Sequence, residues 1–333
     1  MDSRMCVSPE LLLLSPPSVV TVVEANLRNA EMGNSSSSSK HKEPGSQKKG
    51  LTKIPDDYGR VILEFGVATD DNPKCRRTME DSHVLLGRFG NHPNRSYFGV
   101  YDGHGGRETV DIIEKILHEN IHKEIEASYG KNIEESLKKA FLDTDAGLKN
   151  QNTGRSGSTA VSCVFIRSKN NQLEDIRTLY VANAGDSKAI LCRGGEAVEI
   201  TQEHKPSNPI EKERLETSKT PVWITNDKVA GILGVSRSFG DMELKQWVTA
   251  APYTQSILLK PEDAFLIMAC DGLWDVCTHQ KAVDIVLEHA TEKSSALAQR
   301  LVNYALENNT KDNLSVIVVK INPFETKLPA ATA

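Results

Sequence analysis

Three aspartates stand where an apolar run meets a turn. Phe98-Gly99-Val100-Tyr101 leads into Asp102-Gly103-His104-Gly105-Gly106, Phe265-Leu266-Ile267-Met268-Ala269-Cys270 leads into Asp271-Gly272, and Lys311-Asp312-Asn313 directly precedes the run from Leu314 to Val319. A strand that is buried along its length aims the carboxylate at its end into the cleft beside it. Burying that carboxylate unpaired is costly, so each needs a cation or hydrogen-bond donors. Oxygen ligands without a Cys or His cluster select hard ions such as Mg²⁺ or Mn²⁺. Two such ions, typically about 3.5–4 Å apart, activate water for in-line attack on phosphorus. One Asp-Gly by itself is an ordinary turn signal; three acids, each against a buried strand, predict a metal site.

Other charged segments fit the same chemistry. Cys75-Arg76-Arg77-Thr78-Met79-Glu80-Asp81 adds cations and two acids, and an arginine holds a phosphate through two parallel hydrogen bonds. Alone, this segment is a solvated charged turn. Asn183-Ala184-Gly185-Asp186-Ser187 places another acid between two strands that look like a hairpin, and alone it is only a tight turn.

The elements that must position these residues follow from periodicity. Short β-branched runs at Val61–Val67, Tyr97–Tyr101, Ala160–Ile166, Leu179–Ala182, Ala189–Cys192, Phe265–Ala269 and Val316–Ile321 predict strands, several buried on both faces. Ile133, Leu137, Phe141 and Leu148 fall on one helical face behind Asn132 as N-cap, and Leu297, Leu301 and Ala305 on another behind Ser294 or Ser295. Two further helices are expected at Thr109–Ile125 and Gln280–His289. Paired helices separated by groups of strands argue for a layered α+β fold with mostly antiparallel sheets, not a doubly wound one.

Bulk properties bound the rest. The 333 residues are 38% apolar but only 5% aromatic, so aliphatic side chains must fill the core. The net charge of −5 is spread without a basic stripe, which argues against a nucleic-acid partner. Six cysteines lie far apart with no CxxC pair, so they form no zinc site and suit a reducing compartment, cytoplasmic or nuclear. No apolar run reaches the roughly 20 residues of a membrane span; Leu11–Leu14 is broken at once by Ser15-Pro16-Pro17. Residues 1–55, with the serine run Ser35–Ser39 and several lysines, are expected to be a disordered tail. Within it, Met32-Gly33-Asn34-Ser35-Ser36-Ser37 fits an N-myristoylation pattern, which acts only at a chain start and is internal here. Residues 56–325 are expected to form one catalytic domain and 326–333 a C-terminal tail.

The chain resembles the metal-dependent protein phosphatases, the type 2C serine/threonine phosphatases, from about Tyr58 to Ile321. The matching motifs run in family order: Arg76–Asp81, Phe98–Gly106, Ser156–Ala160, Val181–Ser187, Glu203–Pro206, Gly234–Asp241, Phe265–Val276 and Lys311–Val319. The resemblance implies a four-layer α-β-β-α sandwich with two central antiparallel sheets and a site for two Mg²⁺ or Mn²⁺ ions at one end. It implies that Asp102 bridges the ions, that the Gly103 carbonyl serves one, and that Asp271 and Asp312 serve the other. Glu80 and Asp81 bind directly or through water, Arg76 grips the phosphate with Arg77 on the surface, and His104 is the general acid. Asp186, Asp271 and Asp275 correspond to a weaker third ion site.

Three positions depart from the family: Glu203 where Asp is usual, Ser218-Lys219-Thr220-Pro221 where a glycine pair is usual, and Lys228-Val229-Ala230-Gly231 for Arg-Val-Asn-Gly. All fall in or near the flap beside the cleft. The expected function is hydrolysis of phosphoserine and phosphothreonine in phosphoprotein substrates by a monomer, without a phosphoenzyme. No cysteine has the His-Cys-x₅-Arg spacing of a tyrosine-phosphatase loop. The alternatives are a pseudophosphatase acting as a binding module, which the intact acids oppose, and a phosphatase of small molecules.

Overall fold

A computed structural model describes residues 61–323 other than Asn171 and Pro221, together with the backbone of Leu51–Lys53. The two tails, the leucine run and the myristoylation pattern fall outside the described residues.

The principal strands are β1 (Leu51–Lys53), β2 (Ile62–Asp70), β3 (Ser82–Leu86), β4 (Arg95–Tyr101), β5 (Ala160–Lys169), β6 (Asp175–Ala184), β7 (Lys188–Arg193), β8 (Glu196–Glu199), β9 (Tyr253–Leu258), β10 (Asp263–Ala269) and β11 (Leu314–Ile321). They form a sheet of order β1-β3-β4-β5-β6-β9 and a second of order β8-β7-β10-β11-β2. All neighbours are antiparallel except β1 and β3, which run parallel. The main helices are α1 (Glu108–Ala127), α2 (Ile133–Leu148), α3 (Pro209–Glu216), α4 (His279–Glu288) and α5 (Ser294–Glu307).

Strand alternation builds the layers. Side chains along a strand point to opposite faces, so Leu85, Phe98, Val100 and Val161 of the first sheet meet Leu191, Leu266, Met268, Ile317 and Val319 of the second in one buried core. The intervening residues Val84, Leu86, Tyr97, Val164 and Ala182 face α1 and α2, where they pack on Ile113, Leu117, Leu137 and Phe141. In the second sheet Phe265, Ile267, Val316 and Val318 face α4 and α5, against Val283, Leu297 and Leu301. The result is the α-β-β-α sandwich.

All seven expected strands and the expected helices are present, with small shifts at their ends. The helix starts differ in detail. Asn132 occupies the N-cap position of α2 in a left-handed conformation (φ 50°), and its side chain accepts no capping bond. At α5 neither serine caps the helix. Its first turn is pressed onto β2 at Gly66, where any Cβ would overlap the Ser294–Ser295 backbone, so the helix is fixed by tertiary packing.

The flap is a separate small unit. Helix α3 starts with Pro209, and the Asn208 side chain accepts from the Ile210 N–H at 3.0 Å. A short hairpin pairs Ile224–Thr225 with Lys228–Val229 through Asn226 and Asp227, both at positive φ as a two-residue hairpin turn requires. Leu215, Val222, Val229 and Val248 form its own apolar cluster. Glu211 is fully buried at the base and accepts from Arg237, Arg214 and Ser236.

Candidate active site

Strand register brings the acids to one end of the sandwich. Val100 pairs with Val161, Ala160 with Ala184, and Ala269 with Val316. The exits of β4, β6 and β10 and the entry of β11 therefore open on the same side. Asp102, Asp186, Asp271 and Asp312 sit at those four points.

Asp102, Asp186 and Asp271 each present an oxygen within 4.8 Å of the others, and Asp81 and Asp102 do the same with the Cys270 sulfur. Asp271 Oδ1 and Asp81 Oδ2 are buried with no hydrogen-bond partner. Burial, reinforced by Asp271, Asp81, Asp186 and Asp312, pushes the Asp102 carboxyl well above the usual range. Burial and then the charges of Asp186, Asp312 and Asp275 raise Asp271 to about 8. Burial raises Asp81 to about 6, opposed by the nearby Cys270 and Ser315 side chains and the Arg107 charge. Carboxylates packed this closely, with orphaned oxygens, form a donor set of hard oxygens that suits divalent cations.

The remaining expected site residues are placed as follows. Gly103 begins a two-residue strand that pairs with Gly157–Ser158. The Glu80 N–H donates to Asn313 Oδ1 at 2.9 Å, and its carboxylate accepts from Thr78; Glu80 joins neither cluster of oxygens. The Asp312 carboxylate carries the Arg76 guanidinium, whose Nε donates to the Lys311 carbonyl at 3.2 Å. Arg76 Nη1 has no partner among the described residues. Arg77 is exposed.

His104 makes a contact that no local pattern announces. Its Nε2 lies 2.9 Å and 3.1 Å from the two oxygens of Asp241, a buried residue 137 positions away. Asp241 holds a left-handed backbone (φ 48°) and accepts from Ser238 Oγ. Asp145 of α2 anchors the same loop by accepting from the Gly240 N–H at 3.0 Å and pairing with Lys245. Gly157 leaves room for the pair, since a Cβ there would overlap both Asp241 Oδ2 and His104 Nε2.

Four further residues acquire roles that the sequence did not suggest. Arg107 donates to the carbonyls of Met79 and Asp81 and pairs with Asp111, tying the Glu80 loop to α1. Asn313 links Glu80 to Asp71. Cys270 donates to the Asn313 carbonyl and accepts from the Ser315 N–H, and burial pushes its thiol well up. Lys205 faces Asp186, Glu203 and Asp275. The Asn183-Ala184-Gly185-Asp186 turn supplied one signal: its acid was visible, its neighbours were not.

Comparison with known proteins agrees with this geometry. Residues 65–314 match the family model for protein phosphatase 2C. The chain belongs to the protein phosphatase 2C family. Protein phosphatase 2C homolog 1 of Saccharomyces cerevisiae is 38% identical over 267 residues, covering 78% of this chain and 94% of the yeast protein. The homologue of the same name in Schizosaccharomyces pombe is 34% identical, covering 77% of this chain and 72% of its own length. The crystal structure of a serine-threonine phosphatase 2C from Toxoplasma gondii shares the fold at TM-score 0.65 and 20% identity, covering 79% of this chain and 96% of that one. As a phosphatase 2C, the protein is a metal-dependent protein phosphatase, with phosphoproteins as its substrate class. No described helix is long and apolar enough to cross a membrane.

Proposed function

We propose that the strand-end cleft hydrolyses phosphoserine and phosphothreonine esters of proteins with two Mg²⁺ or Mn²⁺ ions and no phosphoenzyme. The ions would be held by Asp102, the Gly103 carbonyl, Asp271 and Asp312, with Glu80 and Asp81 beside them. When bound, such ions polarise the phosphoryl group and supply a water nucleophile at neutral pH. The protein's own groups bind, orient and protonate. Arg76 Nη1 points the free part of the guanidinium fork to phosphoryl oxygens while Nε and Nη2 stay engaged. Asp241 accepts from His104 Nε2, which fixes the ring; in the imidazolium form, with a proton on each nitrogen, the Nδ1 proton passes to the departing serine or threonine oxygen and leaves a neutral ring still bonded to Asp241. Cys270, buried with its thiol held protonated, is excluded as a nucleophile.

The observation that carries this proposal is the gathering of Asp102, Asp186 and Asp271 oxygens within 4.8 Å, with Asp271 Oδ1 unpartnered. Phosphate release from a phosphothreonine peptide tests it. Activity should require Mg²⁺ or Mn²⁺, vanish in chelator, and fall by at least about 10³ in Asp102→Ala while the fold is retained. Full turnover in chelator, or trapping of a phosphorylated protein intermediate, overturns it.

A further inference from the structure

Outside the inner acids lies a second group of carboxylates with a cation already in it. Lys205 Nζ stands 3.6 Å from Asp186 Oδ2, 3.7 Å from Glu203 Oε1 and 3.8 Å from Asp275 Oδ1. The near-equal distances place the ammonium centrally among three oxygens, the position a small cation takes in an oxygen cage. Asp186 is shared, since its carboxylate also belongs with Asp102 and Asp271.

The lysine is anchored to reach that point. The His204 N–H donates to the Gly185 carbonyl, the Ser236 N–H to the His204 carbonyl, and the Asn208 N–H to the Lys205 carbonyl. His204 itself is fully buried. The stem of Lys205 thus rises from a segment bonded to the Asp186 turn. Glu203 has its Oε1 3.0 Å from Lys188 as well, so two ammonium groups share one carboxylate oxygen.

We propose that Lys205 is a tethered counter-cation that neutralises Asp186, Glu203 and Asp275, so that a further divalent ion settles among these outer acids only by displacing it. This rests on the proposal that the inner acids hold divalent ions. The lysine confines ions to the inner acids at ordinary concentrations, and it leaves Asp186 charged without adding another exchangeable ion. Displacing the ammonium forfeits its attraction to carboxylates about 4 Å away, which weakens the incoming ion's binding by roughly tenfold or more.

Manganese binding to the full, metal-free chain tests this, with free Mn²⁺ counted by electron paramagnetic resonance. The variants are Lys205→Met, which keeps the stem and removes the charge, and Lys205→Arg, which keeps the charge. Lys205→Met should bind its weakest Mn²⁺ at least about tenfold more tightly than the wild type, Lys205→Arg should resemble the wild type, and Lys205→Met/Asp186→Asn should lose the gain. Equal numbers and affinities of ions in wild type and Lys205→Met overturn the proposal, as does a gain that survives Asp186→Asn. Asp271→Asn separates the two ideas. If it leaves every tight Mn²⁺ in place, the inner-site proposal fails. If it removes one while Lys205→Met gains nothing, only the lysine proposal fails. Circular dichroism melts of each variant establish that it is folded.

Discussion

At the scale of single residues, the His104–Asp241 pair is the contact with the clearest functional consequence. Asp241 is buried, strained into left-handed backbone, and aimed at one ring nitrogen. Such a carboxylate sets which nitrogen carries the proton and where the ring points. Asp241→Asn should lower kcat by tenfold or more, within the roughly 10²–10⁴ that a positioned acid contributes, with KM for a phosphopeptide little changed. Steady-state kinetics on the folded variant decide it; an unchanged kcat removes His104 from proton transfer. Ala230 supplies a second case. It sits at φ 51° in the flap, a left-handed conformation that its β-carbon disfavours. Ala230→Gly should therefore stabilise the protein by up to about 1 kcal/mol, read from the urea midpoint; a lower midpoint contradicts the strain.

At the scale of elements, the flap stands on Glu211. Burial alone would raise this carboxyl, but Arg237, Arg214 and Ser236 hold it down at about 2. The folded value lies below the ordinary 4.5, so the folded state binds fewer protons than the unfolded chain between those values. The resulting stability is complete above pH 4.5 and is lost as pH falls toward 2. Glu211→Gln lacks this contribution, so its stability deficit against the wild type should shrink on acidification over that range. Glu211→Ala, which leaves two arginines without their shared partner, should cost about 3–5 kcal/mol. Parallel urea titrations at pH 6 and pH 3 measure both; a deficit that widens at pH 3 reverses the assignment. His204 acts in the same direction, because burial lowers its ring to about 4 and protonation favours the unfolded chain.

At the scale of the whole molecule, the acids work against the fold until a cation joins them. Any ion that binds only the native state adds stability by mass action, about 2.7 kcal/mol at a hundred times its Kd. Magnesium should raise Tm, and Asp271→Asn should raise Tm in chelator while blunting the magnesium-dependent rise. Calorimetry with and without chelator shows whether it does. The core that resists this repulsion was largely legible in the sequence. β4, β5, β10 and β11 announced themselves as β-branched runs, and α2 and α5 by their 3.6-residue period, because both signals are local. β3 escaped: Ser82–Leu86 is buried at every position, so it shows no alternation, and it follows directly on Glu80-Asp81. The site was half legible. Strand-end acids can be seen one at a time, whereas Asp241 beside His104 and Lys205 among three carboxylates exist only once distant segments have packed. Arg76 bonded to Asp312 belongs to the same class of long-range pairing.

The layout of β5 and β6 has a practical side. Thr159 and Asp186 flank these strands at the active end, and the strands run ten residues each to a turn at the opposite pole, where Leu173 is exposed. At about 3.3 Å per residue, that turn lies about 30 Å from the acids. It offers a handle: a fluorophore, affinity tag or surface tether grafted there would report on or immobilise the enzyme while substrates approach the other pole unobstructed.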